Sequence, residues 1–150
     1  MDNDPELAAK YHCDKHMKMV LESAQLLCTA HKCFGLNAPY RQTHVNHPCA
    51  KWVRESLENY KWLQRLAFSL CQEYTKRYGR IHKCQEVIEW AGKNYPPLPP
   101  GNLTEFAQAM PEQYRDSDAV KAYRKYYVGE KSRFAKWKTN EVPEWYREGI

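Results

Sequence analysis

The sequence predicts an all-α, single-domain protein built around one long central helix. Three observations carry that expectation. Trp52, Val53, Leu57, Tyr60, Leu63, Ala67, Leu70, Cys71 and Tyr74 recur at three- and four-residue steps, the period of a helix with one apolar stripe. No strand-like alternation of useful length, no internal repeat and no low-complexity tract beyond a proline run is present. Finally, 150 residues that are 43% hydrophobic, with 5 Trp and 11 Tyr, suit one buried core and are too apolar for a disordered chain.

Each element has its own signal. Asp4-Pro5 reads as a cap and first turn, and Leu7, Ala8, Tyr11, Met19, Val20, Leu26, Leu27 and Ala30 give a helical face running to about residue 30. Gly35 and Pro39 mark a loop. Pro48 suits a first helical position, where a missing amide costs nothing. The second helix is expected from there to Tyr78, with Gly79 as its stop and a length of about 45 Å. A third covers His82 to Lys93. Tyr95 to Gly101, with its four prolines, can only be extended. A short helix from Thr104 to Met110 should end at Pro111, and Ser117 or Asp118 should cap a last helix to about Lys138. The tail from Val142 to Ile150 is aromatic.

No apolar run approaches the ~20 residues of a membrane span, and the N-terminus lacks a signal-peptide layout. A cytoplasmic protein without membrane association is therefore expected, and its six cysteines should be reduced thiols. No cofactor is implied. His12 and His16 share a helix face, but Cys13, Asp14 and Lys15 between them do not make a zinc-protease motif, and no metal is expected there.

Two regions suggest anion recognition. Arg41, His44, Asn46 and His47 precede Pro48, with Lys51 and Arg54 just beyond; free amides and the helix dipole at such a start attract phosphate. The bland reading is a well-bonded loop that fixes the helix entrance. Residues 121–140 hold Lys121, Arg124, Lys125, Lys131, Arg133, Lys136 and Lys138 against Glu130 alone, a net +6, interleaved with Tyr123, Tyr126, Tyr127, Phe134 and Trp137. That mixture suits a nucleic-acid backbone with bases to stack on; its bland counterpart is a solvated helix with aromatics turned to the core. Glu22, in KMVLESAQ, is either a catalytic carboxylate or the partner of Lys18 four residues earlier.

The segments YHCDKHMKMVLESAQLL, YRQTHVNHPCAKWVRESLENYKWL, EYTKRYGRIHK and AYRKYYVGEKSRFAKWK with VPEWY resemble a group of small phage and bacterial proteins over nearly the whole chain. More remotely, the order of elements is similar to that of the pyrimidine-dimer DNA glycosylases of the phage endonuclease V type. The resemblance implies a compact helical protein that excises damaged bases from double-stranded DNA in a bacterial or phage-infected cell. It places catalytic roles on His16 and Glu22. It also relates Tyr40, Arg41, Asn46, His47 and Pro48 to a family stretch entering a long helix, and Arg124, Glu130, Lys131, Pro143, Trp145 and Tyr146 to a C-terminal motif. The chain departs at its start. That family attacks with the amine exposed by methionine removal, whereas methionine is rarely removed before an aspartate such as Asp2.

The leading expectation is thus a glycosylase/lyase-like DNA-binding protein with Glu22 as carboxylate and His16 as the second catalytic residue the resemblance implies, although six residues on a helix turn the two away from each other. Arg41, His44, Asn46, His47, Lys51, Arg54, Arg124, Lys131, Arg133, Lys136 and Trp145 would form its DNA contacts. The alternatives are a non-catalytic DNA- or protein-binding module and a metal-dependent hydrolase using His12, His16, His44 and His47.

Overall fold

In a computed structural model, which describes residues 1–149, Asp4 caps helix α1 (Pro5–Tyr11) by accepting a hydrogen bond from Glu6 N. The first helical stretch does not continue unbroken to residue 30. His12 adopts extended backbone, a 3-10 turn spans Asp14–Lys18, and α2 runs over Met19–Lys32. The break is held from outside: Cys13 N donates to the Tyr127 hydroxyl and Asp14 N to Lys136 O.

The expected helix from Pro48 to Tyr78 is also two helices, α3 (Pro48–Glu55) and α4 (Leu57–Tyr78). Ser56 has φ −155° and ψ 157°, and its hydroxyl accepts from Asn59 N at 3.1 Å. Leu57 N, freed by the break, donates to Pro99 O. The proline run is extended as expected, and it supplies the acceptor that stabilises the kink. Helix α4 has 22 residues, about 33 Å at 1.5 Å per residue. It is the central element, packing on α1, α2, α3 and α5 (Gln85–Lys93). Gly79 ends it in the left-handed region, φ 70°, as its position implies.

No helix forms over Thr104 to Met110. Asn59, fully buried, donates to Trp52 O and Thr104 Oγ1 and accepts from Thr104 N. These bonds straighten the segment into a strap. Phe106 packs against Trp52 and Trp62, with centroids 5.3 and 4.6 Å away. The Tyr123 hydroxyl donates to Ala107 O and accepts from Ala109 N. A second 3-10 turn (Glu112–Tyr114) leads to α6 (Ala119–Lys131), capped by Asp118. Helix α6 stops at Lys131 because the chain turns back to place Trp137, whose indole donates to Tyr11 O. A last helix, α7 (Glu144–Gly149), follows; Ile150 of the expected tail lies outside the described residues.

The described residues are all-helical apart from loops and straps, and their apolar side chains form two separate clusters. The larger surrounds Tyr60, Leu27, Leu70 and Ile88. The smaller joins Cys13, Trp137 and Tyr146 with the half-buried Tyr127, Phe134 and Trp145. All six cysteines are free, Cys71 among those buried. No helix among the described residues is long and apolar enough to cross a membrane.

Candidate nucleic-acid interface

The smaller cluster brings two distant parts of the sequence into one face. Asp14 N binds Lys136 O, and Lys138 N donates back to the Asp14 carboxylate at 2.9 Å. The 3-10 turn and the segment after α6 are thereby fixed side by side. Lys15 Nζ lies 4.8 Å from the Phe134 ring centroid. Lys131 Nζ lies 4.8 Å from that of Tyr126 and 5.9 Å from that of Phe134, and the Arg133 guanidinium lies 5.9 Å from Phe134 on its own side. Lys18, Arg133 and Lys136 are exposed. None of these five cations forms an ion pair with a described carboxylate; the ion pairs present lie elsewhere.

His16 stands at the centre, its ring edge-on to Tyr127 at 5.1 Å and to Phe134 at 5.5 Å. Burial, and then the charges of Lys131, Lys18 and Lys15, push it down to about 4, so it is neutral at pH 7. The neighbouring His12 is pushed down to about 3, chiefly by burial, and its Nδ1 donates to Ala8 O at 2.6 Å. The Met1 amine is likewise held down to about 5, by burial first and Arg124 second.

Glu22 occupies a different place. It is exposed in the first turn of α2, and its carboxylate makes neither the Lys18 pair nor any other ion pair or hydrogen bond among the described residues. Its charge acts on Cys49, whose thiol is raised mainly by burial, and Cys49 in turn lies close to Tyr123 of α6. Glu22 therefore lies at the junction of α2, the start of α3 and α6. No hydrogen bond joins it to His16.

At the α3 entrance Thr29 Oγ1 donates to Thr43 O and accepts from Thr43 N. His44 then turns the chain with φ 51°, a left-handed conformation found in few non-glycine residues. His47 caps the helix by accepting from Cys49 N at its Nδ1. Arg41, His44, Asn46, His47 and Lys51 are exposed. Arg54 is turned inward, donating to Val45 O, and so braces the loop.

Two further sequence candidates also have internal roles. Arg124 donates to Met1 O and to the Asp2 carboxylate and stacks between Tyr11 and Trp145 at 5.9 and 5.3 Å. Trp145 is half-buried against Tyr11 and Tyr127, with its indole N–H unpartnered among the described residues. The structure thus groups His16, Lys131 and Arg133 on one face, with the exposed Lys136 joined to the neighbouring turn through its backbone carbonyl, and Arg41, His44, Asn46, His47 and Lys51 at another. Lys15 and Lys18 belong to the first face; sequence reasoning missed them because their signal is the docking of residues over a hundred positions away.

No group of three or more His, Cys, Asp and Glu side chains is placed to hold a metal ion among the described residues, so the four imidazoles of the hydrolase reading do not converge. A depression of about 400 Å³, lined by Asn3, Leu103, Thr104, Phe106, Asp118 and Val120 among others, contains none of the candidate residues. Comparison with protein-family models, with curated proteins and with solved structures finds no match.

Proposed function

We infer that this is a DNA-binding protein that grips the duplex backbone through the Lys15–His16–Lys131–Arg133 face and acts on a damaged or modified base with Glu22 as its carboxylate. The observation that carries the binding part is the set of cations gathered around Phe134 without a carboxylate partner among the described residues. Cations with no carboxylate to neutralise them are available to phosphates and would bind them with strong salt dependence. The free, exposed Glu22 beside the α3 entrance supports the catalytic part, since a carboxylate acting as general base or cation stabiliser needs open access to substrate. Expulsion of a base, which costs a few kcal/mol and is cheapest at lesions, would bring the sugar to it.

The test is binding and turnover measured together. Affinity for a short duplex should fall steeply with salt, and Lys131→Met and Arg133→Met should each reduce the log–log salt slope by about one. On an ultraviolet-irradiated duplex, Glu22→Gln should abolish base release while leaving affinity unchanged. Equal loss of both would sink the role given to Glu22.

A second reading is supported by the separation of His16 from Glu22: a binding module that keeps the cationic face without the chemistry. Borohydride trapping separates the two. A lesion-dependent covalent adduct supports an enzyme of the glycosylase/lyase kind, and binding with neither adduct nor product supports the module.

A further inference from the structure

His16 is unusual among the polar groups of this molecule. It is half-buried, neither ring nitrogen has a hydrogen-bond partner among the described residues, and it is surrounded by cations. On its own turn it faces Lys15 and Lys18, while Asp14 is turned away toward Arg77 and the Lys138 amide. From α1 it faces His12, 6.4 Å away between centroids. From α6 come Tyr127 and Lys131, from the following segment Phe134 with Arg133 stacked beside it, and from the chain start the Met1 amine. No carboxylate is among these neighbours. A polar ring left without a partner in such a field is poorly matched to an empty site and well matched to one holding an anion.

We propose that the notch between the Asp14–Lys18 turn and the end of α6 binds a phosphate oxyanion with His16 as one of its donors, and binds it more tightly when that ring is protonated. The DNA-binding reading identifies that anion as a backbone phosphate; the oxyanion site itself rests on the residues around the notch. An oxyanion beside Lys15, Lys18 and Lys131 cancels the repulsion that keeps the imidazole neutral, and an N–H on each ring nitrogen lets the ring donate toward it. The proton comes from solvent, and it is taken up on binding only at pH values around the free and bound midpoints of the ring. By linkage, affinity rises as pH falls through the titration range of the bound form, and the Met1 amine, held down to about 5, gains its charge over the same range, so the signal followed is that of the His16 ring itself.

The experiment is an NMR titration of the His16 imidazole in the intact protein, in sodium sulfate and in sodium chloride of equal ionic strength. Sulfate keeps its charge through the range, and matched ionic strength removes general screening. The midpoint should lie higher in sulfate by about one unit, a tenfold preference of the anion for protonated His16, and Lys131→Met should remove that increment. Equal midpoints in the two salts, or an increment that survives Lys131→Met, would overturn the site. Repeating the titration with a short undamaged duplex separates the two readings. A sulfate increment without duplex binding keeps the oxyanion site and discards DNA as its ligand. Duplex binding that leaves His16 unmoved discards the proton-linked site and keeps the DNA reading.

Discussion

Replacing Arg77 by Met should destabilise the protein by about 3–5 kcal/mol, the usual effect of removing one partner from a buried ion pair. The Arg77 side chain is 1% exposed, and it bridges Asp14 and Glu73, whose side chains are 18% and 12% exposed. Its guanidinium also donates to His12 O and Lys10 O. Glu73 in turn accepts from Asn140. One side chain thus ties the end of α1, the 3-10 turn, α4 and the C-terminal segment together. Methionine fills much of the space but leaves two carboxylates facing each other without their cation. The contrast is Arg65, which pairs with Glu6 where both side chains are more than half exposed, at 59% and 58%; Arg65→Met should change stability by less than about 1 kcal/mol. Chemical denaturation of both variants checks the pair, and a cost for Arg77→Met no larger than that for Arg65→Met would contradict it. Because the same clasp positions Lys15 and His16, duplex affinity should also fall in Arg77→Met, although no phosphate contact has been removed.

Acid should unfold the protein earlier than its carboxylates require. His12 titrates at about 3 in the folded chain against 6.5 ordinarily. A histidine held neutral by the fold binds its proton more readily when unfolded, so stability is intact above pH 6.5 and is lost as pH falls from there toward 3. For one such group the loss is about 1.4 kcal/mol per pH unit, or roughly 2 kcal/mol between pH 7 and pH 5. His16, lowered to about 4, acts in the same direction with a smaller weight because water reaches its edge. Urea midpoints compared at pH 7 and pH 5 measure the effect. His12→Gln, which has no titrating ring, should be less stable at pH 7 and lose less on acidification; an identical pH profile for the two proteins would rule out His12 as the cause.

The helical class, the caps at Asp4 and Asp118, the stop at Gly79 and the extended proline run were legible because each depends on local chemistry: a side-chain acceptor near free amides, a residue tolerant of positive φ, a ring without an N–H. The breaks at Cys13 and Ser56 were not, because the apolar period runs across both. What decides Ser56 is Pro99, whose carbonyl receives the Leu57 amide, and what decides Cys13 is the hydroxyl of Tyr127. Asn59 similarly converts Thr104 to Met110 from a plausible helix into a strap. The candidate site shows the same division. Lys131, Arg133 and Lys136 were visible as a charge run, but charge density does not say which cations are consumed internally. Arg124 and Arg54 are bonded inward, while Lys15 and Lys18, in a stretch that drew attention for its histidines, face outward beside the run.

The two apolar clusters do not merge, and polar clasps such as Arg77 and Arg124 bridge the gap between them. Regions with their own small core and polar attachments open at lower free energy than the whole molecule. Amides of the C-terminal half of α6 and the tail should therefore exchange with solvent sooner than those of α4. The cationic face is contributed from both sides of this seam, Lys15 from the turn and Lys131 and Arg133 from α6 and beyond. A polyanion lying across it would act as a staple: detaching the tail would first require releasing the ligand, and two separately melting units would become one.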